Sequence, residues 1–245
     1  MQALLFDFDG TIAETERNGH RVAYNRAFAE CGLDWEWDVA RYGELLAVAG
    51  GKERMRHFVA NERPDAPSGA ELDGLIARVY AAKQRHFAAL APVIALRPGV
   101  QRLMCEAHAA GVPVAIATTA APSGVEAVLA RDPEVRATVA LIAAGDVVAH
   151  KKPAPDIYRW ALEKLGVSPA CAVALEDSAI GLNAARAAGL TTIVTVSEYT
   201  AGEEFAGAAA VLSDLGEPGR PAAVLAGAAP AHGVVDLAFL RTLSR

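Results

Sequence analysis

The sequence predicts an α/β fold: a parallel sheet covered by helices on both faces, with an all-helical unit inserted into it. Three observations carry this. Short apolar runs recur at 3–6, 112–117, 138–143, 172–175 and 191–196, separated by helix-length segments at 97–110, 122–131, 154–165 and 178–188. The runs are continuously apolar rather than alternating, as strands buried on both faces are, and strand–helix–strand order implies parallel pairing. Residues 15–90 break that rhythm and read as helices throughout.

The individual elements follow from local chemistry. The predicted helices close on Ala110-Gly111-Val112, Leu165-Gly166-Val167 and Ala188-Gly189-Leu190. In each, glycine suits the left-handed cap that turns the chain into the next strand. Ser178, directly after Asp177, suits a helix N-cap. Within the insert, Val22, Phe28 and Cys31 mark one helix, and Leu45, Leu46 and Val48 end a second at Gly50-Gly51. Met55, Phe58 and Val59 mark a third. Leu72, Leu75, Ile76, Val79 and Tyr80 give a fourth with three-and-four spacing. Trp35 and Trp37 are expected to anchor the packing of these helices. Pro92 and Pro98 mark the return to the sheet, so the division is 1–14 with 92–245 for the α/β core and 15–91 for the helical insert. The tail after Leu212 is rich in Gly, Ala and Pro as far as Gly233, and a last short helix, 236–243, is expected to dock on the core.

Bulk properties exclude several classes. The chain of 245 residues is 53% hydrophobic, with a mean hydropathy of +0.22. The apolar excess is largely alanine, and no uninterrupted apolar run is long enough for a bilayer. The N-terminus has no basic region ahead of an apolar stretch, so it does not read as a secretory signal. A net charge of −6 argues against nucleic acid as partner. Cys31, Cys105 and Cys171 are odd in number, far apart and outside any CxxC pattern. They suggest neither zinc nor disulfides, but a reducing, cytoplasmic compartment.

The chemistry gathers at the strand ends, where open α/β sheets bind ligands. The first strand delivers Asp7 and Asp9, which share a face of an extended chain. The second delivers Thr118 and Thr119, the segment after the third Lys151-Lys152-Pro153, and the fourth Glu176-Asp177. Four carboxylates on one rim repel one another. A hard cation such as Mg²⁺, which takes few carboxylates and adds phosphate oxygens, would relieve that repulsion. Acids, lysine, hydroxyl and Mg²⁺ together suit phosphoryl transfer, with a carboxylate as nucleophile.

"DFDGT", "ATT", "HKKPAPDIY" and "LEDSAIGL" resemble, in order and spacing, the four motifs of the haloacid dehalogenase superfamily, in its phosphatase and phosphomutase branch with a helical cap. The resemblance spans roughly residues 1–215 and implies a Rossmann-like core. It implies Asp7 as nucleophile and Asp9 as general acid/base that also offers its backbone carbonyl to Mg²⁺. Thr118 would hold the transferring phosphoryl group and Lys152 would balance its charge. Asp177 would ligate the metal, with Glu176 ligating it directly or holding a metal-bound water. The second acid, Asp9, speaks against dehalogenation.

The stretch "YGELLAVAGGKERMRHF", Tyr42–Phe58, is most similar to the CbbY family, Calvin-cycle-associated phosphatases of carbohydrate metabolism that convert xylulose 1,5-bisphosphate to xylulose 5-phosphate. Tyr42 and Glu53 lie in that stretch. Gly50 and Gly51 would let the backbone approach a ligand, with Lys52 and Arg54 gripping the phosphate that is not cleaved. Lys83 is a further candidate, and Glu16 would meet sugar hydroxyls. Many relatives, the sugar phosphomutases among them, have histidine where Gly19 stands, coupling cap to acid/base. Here His20 lies one position on, which tilts the expectation toward phosphatase. The expectation is therefore a monomeric, Mg²⁺-dependent hydrolase acting on a small sugar phosphate. Its competitors are a β-phosphoglucomutase-like mutase and a non-catalytic sugar-phosphate-binding protein.

Overall fold

In the computed structural model, which describes residues 1–244, seven strands form one sheet. They are β1 (Ala3–Phe6), β2 (Val114–Thr118), β3 (Val139–Ala144), β4 (Ala172–Glu176), β5 (Thr191–Thr195), β6 (Ala210–Leu212) and β7 (Val224–Gly227). The order is β3-β2-β1-β4-β5-β6-β7, with every pair parallel except β6 and β7. Strand β1 is central and buried throughout. The register sets the rim. Phe6 lies opposite Ile116 of β2 and Leu175 of β4. Asp7, Thr118 and the Glu176-Asp177 pair therefore leave the sheet at one level.

The two faces of the sheet differ in side-chain size. Leu4, Phe6, Val114, Ile116, Val173 and Leu175 point into one large-residue cluster. Ala3, Leu5, Ala115, Ala117, Ala172 and Ala174 point into the other. The alanine-lined face is covered by α8 (Asp156–Leu165) and α9 (Ala179–Ala187) through Tyr158, Ala161, Ala184 and Ala185. This is where much of the chain's alanine goes. The opposite face is covered by α5 (Val100–Ala109), α6 (Pro122–Leu129), α7 (Pro133–Thr138) and α10 (Leu237–Leu243). The docked last helix matches expectation, and its cap is Asp236, which accepts from the Phe239 N–H at 2.7 Å. Ser178 caps α9 by accepting from Gly181 N–H at 3.2 Å.

Three features depart from the sequence reading, the first being β6, whose three residues are too short an apolar run to stand out. The Gly/Ala/Pro-rich tail contains β7, and this strand runs antiparallel. All four of its residues are exposed, so burial imposes no apolar run there. Backbone bonds to β6 hold it instead. The short helix α7 also went unread, because Pro133 at its start resembles a loop signal; Asp132 caps it by accepting from Val135 N–H at 3.2 Å.

Between Glu16 and Leu90 lie a single π-turn (Glu16–His20) and helices α1 (Arg21–Glu30), α2 (Val39–Leu45), α3 (Gly51–Glu62) and α4 (Gly69–Leu90). They enclose their own apolar cluster, with Trp37 at its centre. The Trp37 ring meets Phe28 edge-on at 4.9 Å and Phe58 at 5.4 Å. Its backbone N–H and C=O are both satisfied by the Asn25 amide at 2.9 Å. Where the chain leaves and re-enters the sheet domain, two segments pair: Arg97 N–H donates to Ile12 O at 2.9 Å and Glu14 N–H to Ala95 O at 3.3 Å. Among the described residues no helix is long and apolar enough to cross a membrane, and all three cysteines are free.

Candidate active site

A cleft of about 650 Å³, measured to its open mouth, lies over the carboxyl ends of β1, β2 and β4 and under α2 and α3. Asp7, Asp9, Thr118, Lys152 and Asp177 line its floor, and Glu16 and Arg54 its roof. Thr119 lines it too. A deeper recess continues into the helical insert along His20, Tyr24, Gly50, Gly51, Tyr80 and Lys83.

Asp7 is buried at the tip of β1. Lys152 donates to its Oδ1 and to Glu176 Oε1, both at 2.6 Å. Glu176 Oε1 also accepts the Tyr158 hydroxyl proton. Asp7, Glu176 and Asp177 each place one oxygen within 4.8 Å of the others. Burial pushes Asp7 up to about 8; Lys152 opposes that rise, while Glu176 and Asp9 add to it. Asp177 is raised well above the usual carboxylate range by burial and then by Asp7 and Glu176. Burial acts against the charged Lys152, yet Asp7 and Glu176 more than offset it and keep the ammonium protonated.

One lysine thus faces three buried carboxylates. The donor set is all oxygen, as a hard divalent cation requires. Glu176 Oε2 is buried without a hydrogen-bond partner. At Gly10 and at Gly181 a Cβ would collide with the carboxylates of Asp177 and Glu176 respectively, so both glycines keep the pocket open for these acids. The residues fit a divalent cation. Asp9 fits it differently from the other three. Its carboxylate lies outside the trio, grouped instead with Glu16 and His20.

The Asp9 carboxylate instead accepts from Thr15 Oγ1 at 2.5 Å and lies 2.9 Å from His20 Nε2. Lys83 Nζ lies 2.9 Å from the other ring nitrogen, Nδ1. An ammonium can only donate. Nδ1 therefore accepts, and Nε2 carries the proton given to Asp9. The imidazole is also stacked on Phe87 at 4.0 Å. Burial works to raise Asp9, but the His20 contact, the Thr15 hydroxyl and the Lys83 charge outweigh it and hold Asp9 at about 2. Lys83 is lowered to about 8 by burial, against the pull of Asp9 and Glu16. Among the protein's own groups, then, Asp9 is the ionised acid and Asp7 the reluctant one. Asp7 shares its lysine with Glu176, whereas Asp9 accepts from Thr15 and His20 with the Lys83 ammonium behind them.

His20 also corrects the argument built on position 19. The π-turn spends one extra residue, closing with His20 N–H on Thr15 O at 2.7 Å. That extra residue brings the His20 ring onto Asp9. The offset of one in sequence therefore carries no preference for phosphatase over mutase. At position 19 a side chain would press on Ile94 and Phe87, each 3.0 Å from the Cβ it would add.

The remaining expected residues divide. Thr118 is buried and its Oγ1 accepts from Ala120 N–H at 3.1 Å. The Tyr42 hydroxyl donates to Glu16 and accepts from Arg54 Nη1 at 3.1 Å, while Arg54 Nε donates to Leu45 O at 3.1 Å. Lys52 does not join this group. Its ammonium sits 3.3 Å from Asp146 and 5.2 Å from the centre of the Tyr80 ring, with 40% of the side chain exposed. Neither Lys52 nor Glu53 lines the main cleft. The Glu53 carboxylate folds back against Gly50, where a Cβ would meet it. Lys52 instead lines an outer groove with Tyr80, Asp146 and Lys151.

Sequence reasoning missed His20, Thr15, Tyr158 and Tyr24. Tyr158 lies within the quoted "HKKPAPDIY" segment, so its place beside Lys152 was open to inference. Tyr24 ends in a buried hydroxyl with no partner, and no linear pattern singles it out.

Comparison with known proteins agrees with this geometry. Residues 1–189 match the haloacid dehalogenase-like hydrolase family. The chain is similar to protein CbbY (plasmid) of Cupriavidus necator, with 46% identity over 98% of this chain and 96% of the relative. It is also similar to the crystal structure of CbbY from Rhodobacter sphaeroides in complex with phosphate, at TM-score 0.81 and 48% identity over 87% of this chain and 94% of that one. A mutant of that same protein, in complex with xylulose 1,5-bisphosphate, gives TM-score 0.81 and 47% identity over the same shares of both chains. The chain belongs to the haloacid dehalogenase-like hydrolases and, within them, groups with the CbbY proteins.

Proposed function

We propose that this protein is a Mg²⁺-dependent sugar-bisphosphate phosphatase that hydrolyses xylulose 1,5-bisphosphate to xylulose 5-phosphate. The observation that carries the reading is one cleft with two cationic poles, Lys152 beside Asp7 on its floor and Arg54 with Lys83 toward its roof and recess. Asp9 lines both compartments, between those poles. A bisphosphate has an anion for each pole and a bond to be cleaved at one of them.

Asp7 is the nucleophile and takes the phosphoryl group as an acyl phosphate. Lys152 and the Thr118 hydroxyl hold the phosphoryl oxygens. Asp9 gives a proton to the leaving sugar oxygen and later takes one from the attacking water. His20 and Thr15 fix the Asp9 carboxylate for both steps. A proton reaches Asp9 when the substrate's own negative charge counters the pull of His20 and Lys83. Asp7, Glu176, Asp177 and the Asp9 carbonyl would hold Mg²⁺, which supplies the positive charge that keeps Asp7 ionised and neutralises the phosphate. Residues 15–91 act as a cap, closing on residues 1–14 and 92–245 to exclude water until the acyl phosphate has formed. Glu16 faces the sugar hydroxyls; Tyr42, expected beside it at the substrate, is fully buried outside the cleft lining and acts by donating to the Glu16 carboxylate. We take the protein to act as a monomer on a small molecule in a reducing cytoplasm.

The test is phosphate release with Mg²⁺ across xylulose 1,5-bisphosphate, ribulose 1,5-bisphosphate, other bisphosphates and monophosphates. Strong preference for the first is expected, and equal rates across the panel would overturn the substrate assignment. A mutase reading has one observation in its favour, the His20–Asp9 contact that mutase relatives are noted for. Incubation with a hexose 1-phosphate and its bisphosphate primer decides it: isomerised product without free phosphate would replace the phosphatase reading.

A further inference from the structure

Arg97 lies at the point where the chain returns from the helical insert to the sheet. It is buried, and its four terminal N–H groups each meet a main-chain carbonyl. Nη1 donates to Gly10 O and, at 2.9 Å, to Thr195 O. Nη2 donates to Val196 O at 2.6 Å and to Ser213 O at 2.8 Å. Nε lies 2.8 Å from Glu14 Oε1. The four carbonyls come from three places that share no secondary structure: the turn after β1, the end of β5 and the segment just past β6. A planar guanidinium can bind such a set, whereas an ammonium has three donors and no fixed fork.

Two of these contacts bear on the acid cluster. Gly10, whose carbonyl Arg97 holds, follows Asp9 and is the residue whose missing side chain leaves room for the Asp177 carboxylate. Its φ of +81° makes the turn a glycine conformation that needs an anchor. Val196, also held, precedes Ser197, which lines the cleft together with Asp177. Arg97 is thus attached to both walls beside Asp177. Its guanidinium forms an ion pair with Glu14, on the segment leaving for the insert, while its own backbone N–H binds Ile12 O on that segment.

We propose that Arg97 is a positioning residue that sets the geometry of the Asp9-Gly10 turn and of Asp177 for the divalent cation, and that its pairing with Glu14 ties this geometry to the hinge of the insert. The inference rests on the metal reading of the acid cluster given above.

The test is Mn²⁺ binding, followed by electron paramagnetic resonance, alongside the kcat and KM split and thermal unfolding. Arg97→Lys is compared with Arg102→Lys. Arg102 also holds main-chain carbonyls, Leu215 O at 3.3 Å and Gly216 O at 2.9 Å, but lies off the cleft. Arg97→Lys is expected to weaken Mn²⁺ binding about tenfold and lower kcat with KM for the sugar phosphate little changed. Arg102→Lys is expected to lower only the unfolding temperature. If Arg97→Lys binds Mn²⁺ as the unaltered chain does, the proposal is overturned. If Arg97→Lys does not fold, Glu14→Gln carries the test: it keeps the four carbonyl contacts and is expected to weaken Mn²⁺ binding about threefold through the loosened hinge, and unchanged binding overturns the link. No Mn²⁺ binding by the unaltered chain would overturn the metal reading itself, and the inference with it.

Discussion

The floor and the roof of the cleft are built in different ways. On the floor, Asp7, Thr118, Glu176 and Asp177 stand at the ends of parallel strands, and the register of those strands alone brings them level. On the roof, Glu16, Tyr42, Arg54 and Lys83 come from different helices or turns and are held mainly by side-chain contacts, Tyr42 joining Glu16 to Arg54 and His20 receiving Lys83. Chemistry placed by backbone hydrogen bonds survives changes in the side chains around it. Recognition placed by side-chain contacts changes whenever one partner changes. That difference suits a hydrolase whose bond-breaking step stays the same while its choice of sugar is set by the insert.

Substitutions on the two sides can break or sharpen this contrast. The largest effect is expected on the floor. Asp7→Asn should lower kcat by about 10⁴-fold or more while leaving sugar-phosphate binding and the unfolding temperature near normal, read by steady-state kinetics and calorimetry. Wild-type-like turnover would remove Asp7 from its role. The next largest concerns what holds the roof together. Trp37→Ala should destabilise the insert by about 3–5 kcal/mol, and denaturant unfolding should show it. If the two sides are built independently, fluorescence or hydrogen exchange should report loosening in the insert before the sheet.

Lys83 gives a pH dependence with a definite sign. In the folded chain its ammonium is lowered to about 8 by burial, from an unfolded value near 10.5. Below pH 8 both states hold the proton and the cost of burying the charge is fully present. Between pH 8 and 10.5 the unfolded state holds the proton and the folded state does not, so stability rises with pH, by about 3 kcal/mol in all. Comparison with Lys83→Met across that range isolates the contribution, and parallel pH profiles for the two proteins would show that Lys83 titrates normally. The smallest effects separate two neighbouring cations. Arg54→Met should raise KM about 10- to 100-fold, since a buried charged donor is lost. Lys52→Met should change KM by no more than about twofold, as for an exposed ion pair. Equal effects would mean that both side chains reach the substrate.

How much was legible in the sequence follows the same division. The five parallel strands at the heart of the sheet, and the residues at their ends, can be read from apolar runs and the acids that follow them, because a buried strand leaves a run of buried residues and then stops. Strand β7 cannot, because its residues are exposed and only their backbone bonds define it. On the roof, Arg54 and Lys52 are two residues apart and look alike in sequence. Which one turns inward is decided by partners elsewhere in the chain: Arg54 meets the Tyr42 hydroxyl and Leu45 O, and no local signal states that Lys52 meets Asp146, nearly a hundred residues away. Tyr24 and Arg97 belong to the same class: each matters through distant atoms.

The π-turn between Asp9 and α1 has a consequence for how relatives of this chain are compared. Distance along the chain and distance between reacting groups are different quantities, and a wider helical loop lets the first grow by one while the second stays fixed. The turn acts as slack taken up in the backbone. A version of the chain shortened by one residue at Asn18 would close the same link with an ordinary α-turn and still offer its imidazole to Asp9. Residue counting from the first acid would score these two chains as having and lacking the group, although both present it to the same carboxylate.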